Sequence, residues 1–135
     1  MREEREALIR YRLERAAETM AEAKLLARGD HWNGCVNRLY YACFYGVTAL
    51  LLRNNLGSSK HSGVRGQFNL QFVKTGLVSP DLAELYNNLY QSRNRGDYED
   101  LVRMDEATVR PWLEEAPRFL TEIGKLAATP ASTDQ

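Results

Sequence analysis

The chain has 135 residues, of which 44% are hydrophobic, and its 18 lysines and arginines are balanced by 18 aspartates and glutamates. A chain of this length normally forms one domain, which we expect to span residues 1–128, followed by a small, polar, disordered tail over 129–135. The balanced charge excludes a global positive field that would attract nucleic acid without specificity. Any contact with RNA must therefore come from a local patch.

Several features of the sequence predict a cytoplasmic protein that does not span a membrane. The first residues are charged where a secretory signal would be apolar, and Cys35 and Cys43 lie two helical turns apart, too far from each other for a disulfide. The most apolar stretch, 36–52, is interrupted by Asn37 and Arg38, which are costly at bilayer depth. We expect this stretch to be a buried helix and both thiols to lie in the core.

The first two helices are predicted from apolar residues that recur every three or four positions. One such stripe runs from Glu3 to Arg28, and Gly29 is expected to end that helix. Asp30 is expected to cap a second helix that stops near Gly57, in a cluster of turn-forming residues. The second stripe is wide, which indicates the central helix of a bundle.

The next two helices are predicted from their start signals. Ser58 or Ser59 is a candidate cap for a third, shorter helix that ends near Gly76. The run Ser79-Pro80-Asp81 predicts the start of a fourth helix, because serine caps, proline fits the first turn and aspartate complements the helix dipole.

The segment 92–104 is densely charged and contains a glycine, so we expect a loop or a distorted helix end there. A last helix is predicted within 105–128, and it either starts near Pro111 or is kinked, with Pro117 bending it. No stretch alternates as a strand does. The sequence therefore predicts an all-α fold, an up-and-down bundle of about five helices.

Two polar groups interrupt helices in a way that periodicity does not explain. Asn37 and Arg38 lie in an otherwise apolar helix, so they must reach solvent, a ligand or a polar network, or Arg38 must pair with a carboxylate on a neighbouring helix. Lys60 and His61 lie at the predicted start of the third helix, where free N–H groups favour anions. The alternative for His61 is an ordinary surface or capping residue.

A third polar stretch, from Arg93 to Asp100, combines guanidiniums, an amide, carboxylates and a phenol at a predicted helix break. Arginine forks suit phosphates, and Tyr98 can stack on a base or accept a transferred group. The alternative is a solvated charged loop. Neither the cysteines nor the histidines have metal-ligand spacing, so we expect no metal and no cofactor.

Three motifs stand in order along the chain: Asn37-Arg38-Leu39-Tyr40-Tyr41-Ala42, Lys60-His61-Ser62-Gly63-Val64 and Arg93 through Tyr98. Together they resemble the signatures of the HEPN superfamily, in its UPF0332-like branch. The resemblance runs from about Glu14 to Leu126. It implies a homodimeric bundle, for which Tyr86 and Tyr90 are candidate interface residues, and a partner nucleotidyltransferase of the MNT type. In the better-known HEPN members that pair works as toxin and antitoxin.

HEPN ribonucleases carry an arginine followed after four to six residues by a histidine, and they cleave RNA without metal. The resemblance places the arginine at Arg93 and its polar neighbour at Asn94, but Tyr98 stands near the position of the histidine. His61 is a candidate substitute from another helix, and Tyr98 is a candidate for nucleotide attachment by the partner. The predicted catalytic residues are Arg93, Tyr98, Asp97 and His61, and the predicted nucleotide- or RNA-binding residues are Asn94, Arg95, Lys60, Arg38 and Asn37.

Three functions fit these residues. The favoured interpretation is a toxin-like protein that acts on or binds RNA or nucleotide, related to metal-independent endoribonucleases and paired with a nucleotidyltransferase antitoxin. The alternative is a non-catalytic regulatory homodimer that binds nucleotide or a partner protein, which the missing histidine favours because a tyrosine is a poor base at neutral pH. A purely structural dimerisation domain would bind no phosphate compound.

Overall fold

Five α-helices build the fold in the computed structural model, which describes residues 2–98 and 103–129, without the side chains of 95–98. The helices are α1 (Arg2–Arg28), α2 (Trp32–Arg53), α3 (His61–Phe68), α4 (Pro80–Tyr98) and α5 (Glu106–Ala128), and a π-helical turn (Asn69–Val73) follows α3. The described residues include no strand. The all-α prediction is confirmed. The predicted tail falls on 129–135, of which only Thr129 lies within the described residues.

Helix α2 is the centre of the bundle, as its wide apolar stripe predicts. It packs against α1, α3, α4 and α5, and Leu39, Cys43 and Val47 on it are fully buried. Cys35 and Cys43 are both buried and unbonded to each other, and burial raises the pKa of Cys35 to about 11, so it is a thiol at neutral pH. By length and composition α2 would also be able to cross a membrane, but 61% of its apolar window is buried inside the protein.

A buried arginine ties α1, α2 and α5 together at one end of the bundle. Arg53 is only 6% exposed. Its Nε donates to the carbonyl oxygen of Ala127 at 2.7 Å, and both of its terminal nitrogens donate to the carboxylate of Glu6, one of them at 2.8 Å. We call this group the Arg53 clamp. It also neutralises the carbonyl end of α5, where a positive charge is favourable.

Two predicted helix caps are wrong. Asp30 adopts a left-handed conformation with φ of 60°, and His31, without a side-chain hydrogen bond, precedes α2 instead. Lys60 precedes α3, while Ser58 Oγ accepts a hydrogen bond from the backbone N–H of Lys60. In both cases the predicted capping residue lies in the turn before the helix and not at the helix end. Composition alone does not distinguish these two positions.

The second half of the chain is more helical than predicted. Helix α4 begins at Pro80 as expected, with Ser79 Oγ accepting from the N–H of Leu82 at 3.4 Å. It continues to Tyr98, through half of the segment predicted to be a loop or a distorted helix end. Helix α5 includes both Pro111 and Pro117. It begins before them because Asp105 caps it, accepting from the N–H of Thr108 at 2.9 Å.

Candidate functional site

Three aromatic residues of α2 form the floor of the candidate site. Tyr40 is fully buried, and Tyr41 and Phe44 are half-buried beside it. The ring centroids of Tyr40 and Tyr41 lie 5.2 Å apart in an edge-to-face arrangement, and those of Tyr40 and Phe44 lie 5.8 Å apart. Because residues three and four apart share a helix face, this short run presents a continuous aromatic surface toward α3 and α4.

His61 is the first residue of α3, and it lies against this aromatic floor. Its ring is nearly parallel to that of Phe44 at 4.3 Å, and its Nδ1 is 2.7 Å from the hydroxyl of Tyr40. The tight turn before α3 requires Gly63, because a Cβ there would lie 2.8 Å from Cβ of Ser58. His61 is therefore a positioned residue rather than an exposed helix start.

The hydrogen bond between Tyr40 and His61 joins a phenol to an imidazole. Burial raises the pKa of Tyr40 to about 12, although the Tyr86 hydroxyl and the charge of Arg93 act in the opposite direction. Tyr40 is consequently a neutral phenol at physiological pH. Its hydroxyl oxygen can accept from Nδ1–H of the imidazole, or its O–H can donate to an unprotonated Nδ1, so the bond holds either tautomer of His61.

Arg93 lies over the same two tyrosines from the side of α4. Its Nη2 donates to the hydroxyl of Tyr41 at 3.1 Å, and its Cζ is 5.6 Å from the ring centroids of both Tyr40 and Tyr41. Its Nη1 is 3.5 Å from Oδ1 of Asn94. The ring of His61 is 5.7 Å and 5.8 Å from those same two rings. Two residues that are 32 positions apart in sequence thus share one pair of aromatic rings.

Arg38 and Asn37 flank this group, which we call the Arg93–His61 cluster: Tyr40, Tyr41, Phe44, His61 and Arg93. Arg38 donates twice to the Asn37 amide oxygen, at 3.0 and 2.7 Å, and its Cζ is 5.2 Å from the Tyr41 ring centroid. It also pairs with Glu22 of α1 at 3.3 Å. The predicted carboxylate partner therefore exists, and Arg38 still lies next to the site.

The structure describes the surroundings of the remaining predicted site residues only in part. Lys60 is exposed at the start of α3, where its backbone N–H donates to Ser58. Arg95, Asp97 and Tyr98 belong to α4, but their side chains lie outside the described residues. In the part of the chain that the structure describes, no group of three or more histidine, cysteine or acidic side chains is arranged to hold a metal ion.

The structure corrects one prediction and adds two residues to the candidate site. Tyr86 is fully buried and stacks on Phe119 at 5.9 Å, so it is a core residue and not a candidate for a subunit interface. Tyr40 and Tyr41, by contrast, belong to the site although neither was a predicted site residue. The sequence contains a signal for them, because both rings lie in the same short motif as Asn37 and Arg38.

Comparison with known proteins identifies the family. The HEPN domain family matches residues 9–126. A "UPF0332 protein" of Thermotoga maritima is 46% identical over 91% of this chain and 93% of that protein. Two proteins of Methanocaldococcus jannaschii, "Putative toxin MJ0142" and "Putative toxin MJ0605", are 30% and 35% identical over 84% and 90% of this chain and 77% and 82% of their own lengths. The chain belongs to the HEPN family, in a group with UPF0332 proteins and toxin-like relatives.

Proposed function

We propose that this protein is a HEPN-type toxin that binds RNA with Arg93 and cleaves it without metal, with His61 replacing the histidine that is missing after Arg93. The observation that carries the proposal is the meeting of Arg93 and His61 on the rings of Tyr40 and Tyr41. The relatives with toxin names support the general class.

The chemistry of RNA cleavage explains why these two residue types are needed together. The 2′-hydroxyl oxygen attacks the adjacent phosphorus, the bond from phosphorus to the 5′-oxygen breaks, and a 2′,3′-cyclic phosphate and a 5′-hydroxyl form. If Nδ1–H of His61 donates to the hydroxyl oxygen of Tyr40, Nε2 is the nitrogen that accepts the proton of the 2′-hydroxyl. The fork of Arg93 binds the phosphate oxygens as negative charge develops on them.

A homodimer completes this scheme. Cleavage also needs an acid to protonate the leaving 5′-oxygen, and an imidazolium from a second protomer is a suitable donor. The resemblance to toxin–antitoxin pairs further leads us to propose a cytoplasmic complex with an MNT-type nucleotidyltransferase. In that complex Tyr98 would accept a nucleotide on its hydroxyl, with loss of pyrophosphate from a nucleoside triphosphate.

The second candidate function is a regulatory homodimer that binds nucleotide or its partner without cleavage. It is favoured by one fact of the sequence: the chain has only two histidines, and both precede Arg93. In this version the Arg93–His61 cluster would recognise phosphate and a base, and no bond would break.

Expression in bacteria and an RNA cleavage assay test these alternatives. Parent protein should arrest growth and cleave single-stranded RNA in the presence of a chelator, whereas Arg93→Ala should do neither. Arg110→Ala is a matched control, because Arg110 also lies over an aromatic ring, 5.2 Å from the Trp32 centroid, but outside the cluster. RNA binding without cleavage would select the regulatory function. Equal RNA binding by the parent and Arg93→Ala would contradict both.

A further inference from the structure

The arrangement of arginine over tyrosine is repeated one helical turn along α2. Tyr41 has Arg38 and Arg93 over its ring, and Tyr45, four residues later, has Cζ of Arg15 from α1 at 5.4 Å from its centroid. The centroids of Tyr41 and Tyr45 are 6.2 Å apart, with their planes tilted by 42°. Both tyrosines are half-buried, so each ring is held in place while part of it faces solvent.

We propose that Tyr45 and Arg15 form a second nucleotide subsite, which takes the base and phosphate next to the nucleotide held at the Arg93–His61 cluster. The inference rests on the proposed function and specifies its substrate as single-stranded RNA. In a duplex the bases are stacked on one another and cannot lie on protein rings, whereas an unpaired strand can place successive bases on successive aromatic side chains.

The spacing of the two tyrosines fits this ligand. The two ring centroids are 6.2 Å apart, and single-stranded nucleic acid binds by stacking successive bases on neighbouring aromatic side chains. The next turn of α2 ends the series. Thr48 stands there instead of a ring, and Arg12 donates to its carbonyl oxygen at 3.1 Å rather than lying over an aromatic face. The surface therefore offers two stacking positions.

The charges at the second subsite allow a phosphate to enter. Nη1 of Arg15 is 3.0 Å from Glu18, and the two side chains are 28% and 63% exposed. An ion pair this exposed contributes little free energy, so its arginine can exchange a carboxylate for a phosphate, which binds the same fork. The Arg38–Glu22 pair, with exposures of 30% and 47%, is of the same kind.

Binding measurements on the full-length protein test the subsite. The probe is a fluorescent single-stranded oligouridylate of about eight nucleotides, made uncleavable with 2′-deoxy sugars, at several salt concentrations. Tyr45→Ala should weaken its binding by about 5- to 100-fold, while Tyr45→Phe, which keeps the ring, should stay near the parent. Tyr11→Ala is the matched control, because Tyr11 is a 57% exposed tyrosine of α1 outside the proposed path.

A second variant keeps the test valid if Tyr45→Ala does not fold. Arg15→Gln should weaken binding and lower the slope of log affinity against log salt by about one. Parent-like binding by Tyr45→Ala or Arg15→Gln, with Arg93→Ala inactive, would overturn the subsite and leave the proposed function intact. Parent-like binding by all three would overturn both. Dissociation of an oligomer by Tyr45→Ala in light scattering would show a protein interface at this face, and would also overturn the subsite.

Discussion

Two arginines of this protein, Arg53 and Arg93, make different kinds of contact at two places along the central helix α2: Arg53 is its last residue, and Arg93 lies over Tyr40 and Tyr41 near its middle. Arg53 is enclosed and donates to a carboxylate and to the carbonyl end of a helix, joining three helices. Arg93 is half-buried, donates to the hydroxyl of Tyr41 and lies over the rings of Tyr40 and Tyr41.

This difference between the two arginines assigns Arg53 to the stability of the fold and Arg93 to its function. Each nitrogen of the Arg53 guanidinium donates a hydrogen bond within the fold, so loss of the Arg53 clamp should be felt in the free energy of unfolding. The Arg93–His61 cluster contains half-buried side chains that a ligand can reach, so its loss should be felt in activity.

The largest effect is expected from His61→Gln. Glutamine can keep a hydrogen bond to Tyr40, but it has no nitrogen that titrates, so cleavage should fall by about 100-fold or more while affinity for uncleavable RNA changes little. His31→Gln is the control, since His31 is the other histidine and is exposed at the start of α2. Equal loss of cleavage in both variants would place the chemistry elsewhere.

Arg53→Met should have the largest effect on stability. It leaves the Ala127 carbonyl and the Glu6 carboxylate without their donor, and we expect a loss of about 2–4 kcal/mol in the free energy of unfolding, measured by urea denaturation. Arg93→Met should lose less than about 1 kcal/mol in the same assay. A larger loss from Arg93→Met than from Arg53→Met would invert the contrast and make Arg93 the structural residue.

Gly63→Ala should lower both the stability of the fold and the affinity for RNA, because the turn that positions His61 is tightly packed. The new Cβ would lie 2.8 Å from Cβ of Ser58, which cannot rotate away, and overpacking of this kind costs about 1–2 kcal/mol. Thermal unfolding and RNA binding should both weaken. The second variant Ser58→Gly removes the obstructing atoms, so the pair Ser58→Gly with Gly63→Ala should recover part of the loss; no recovery would mean that the turn is not the cause.

The smallest effect is a pH dependence of the Arg53 clamp. The hydrogen bond from Arg53 holds the pKa of Glu6 below its usual value of 4.5. A carboxylate with a lowered pKa in the folded state stabilises the protein above the unfolded pKa and loses that contribution as the pH falls through the folded pKa. The stability difference between parent and Glu6→Gln should be full near neutral pH and shrink below about pH 4.5. A difference that does not change with pH would contradict the ion pair.

The parts of the fold that the sequence predicted are those that depend on local chemistry. Pro80 after Ser79 marked a helix start correctly, because capping needs only neighbouring residues. The segment 92–104 was predicted to be a loop or a distorted helix end because its dense run of charges breaks the apolar stripe. Charged residues are nevertheless compatible with a solvated helix, and α4 continues to Tyr98. The Arg53 clamp was not predicted, since its partners are 47 and 74 residues away.

The candidate site, too, could be predicted from the sequence only where local chemistry decides. Arg93 and His61 stood out as polar residues in distinctive motifs, but nothing local indicated that both would contact Tyr40 and Tyr41. That arrangement depends on how α3 and α4 pack across α2, which is a tertiary property. The contact between Tyr45 and Arg15 of α1 was not predicted either, because it depends on how α1 packs against α2.

A double-mutant cycle of Arg93→Ala and His61→Gln tests most directly whether these two residues form one catalytic site. Cleavage rates on single-stranded RNA would be measured for the parent, both single variants and the double variant, with a chelator present. Residues that act as a unit are not additive, so the double variant should be about as slow as the slower single variant. If the two losses instead multiply, Arg93 and His61 act independently, and a single site on the rings of Tyr40 and Tyr41 is contradicted.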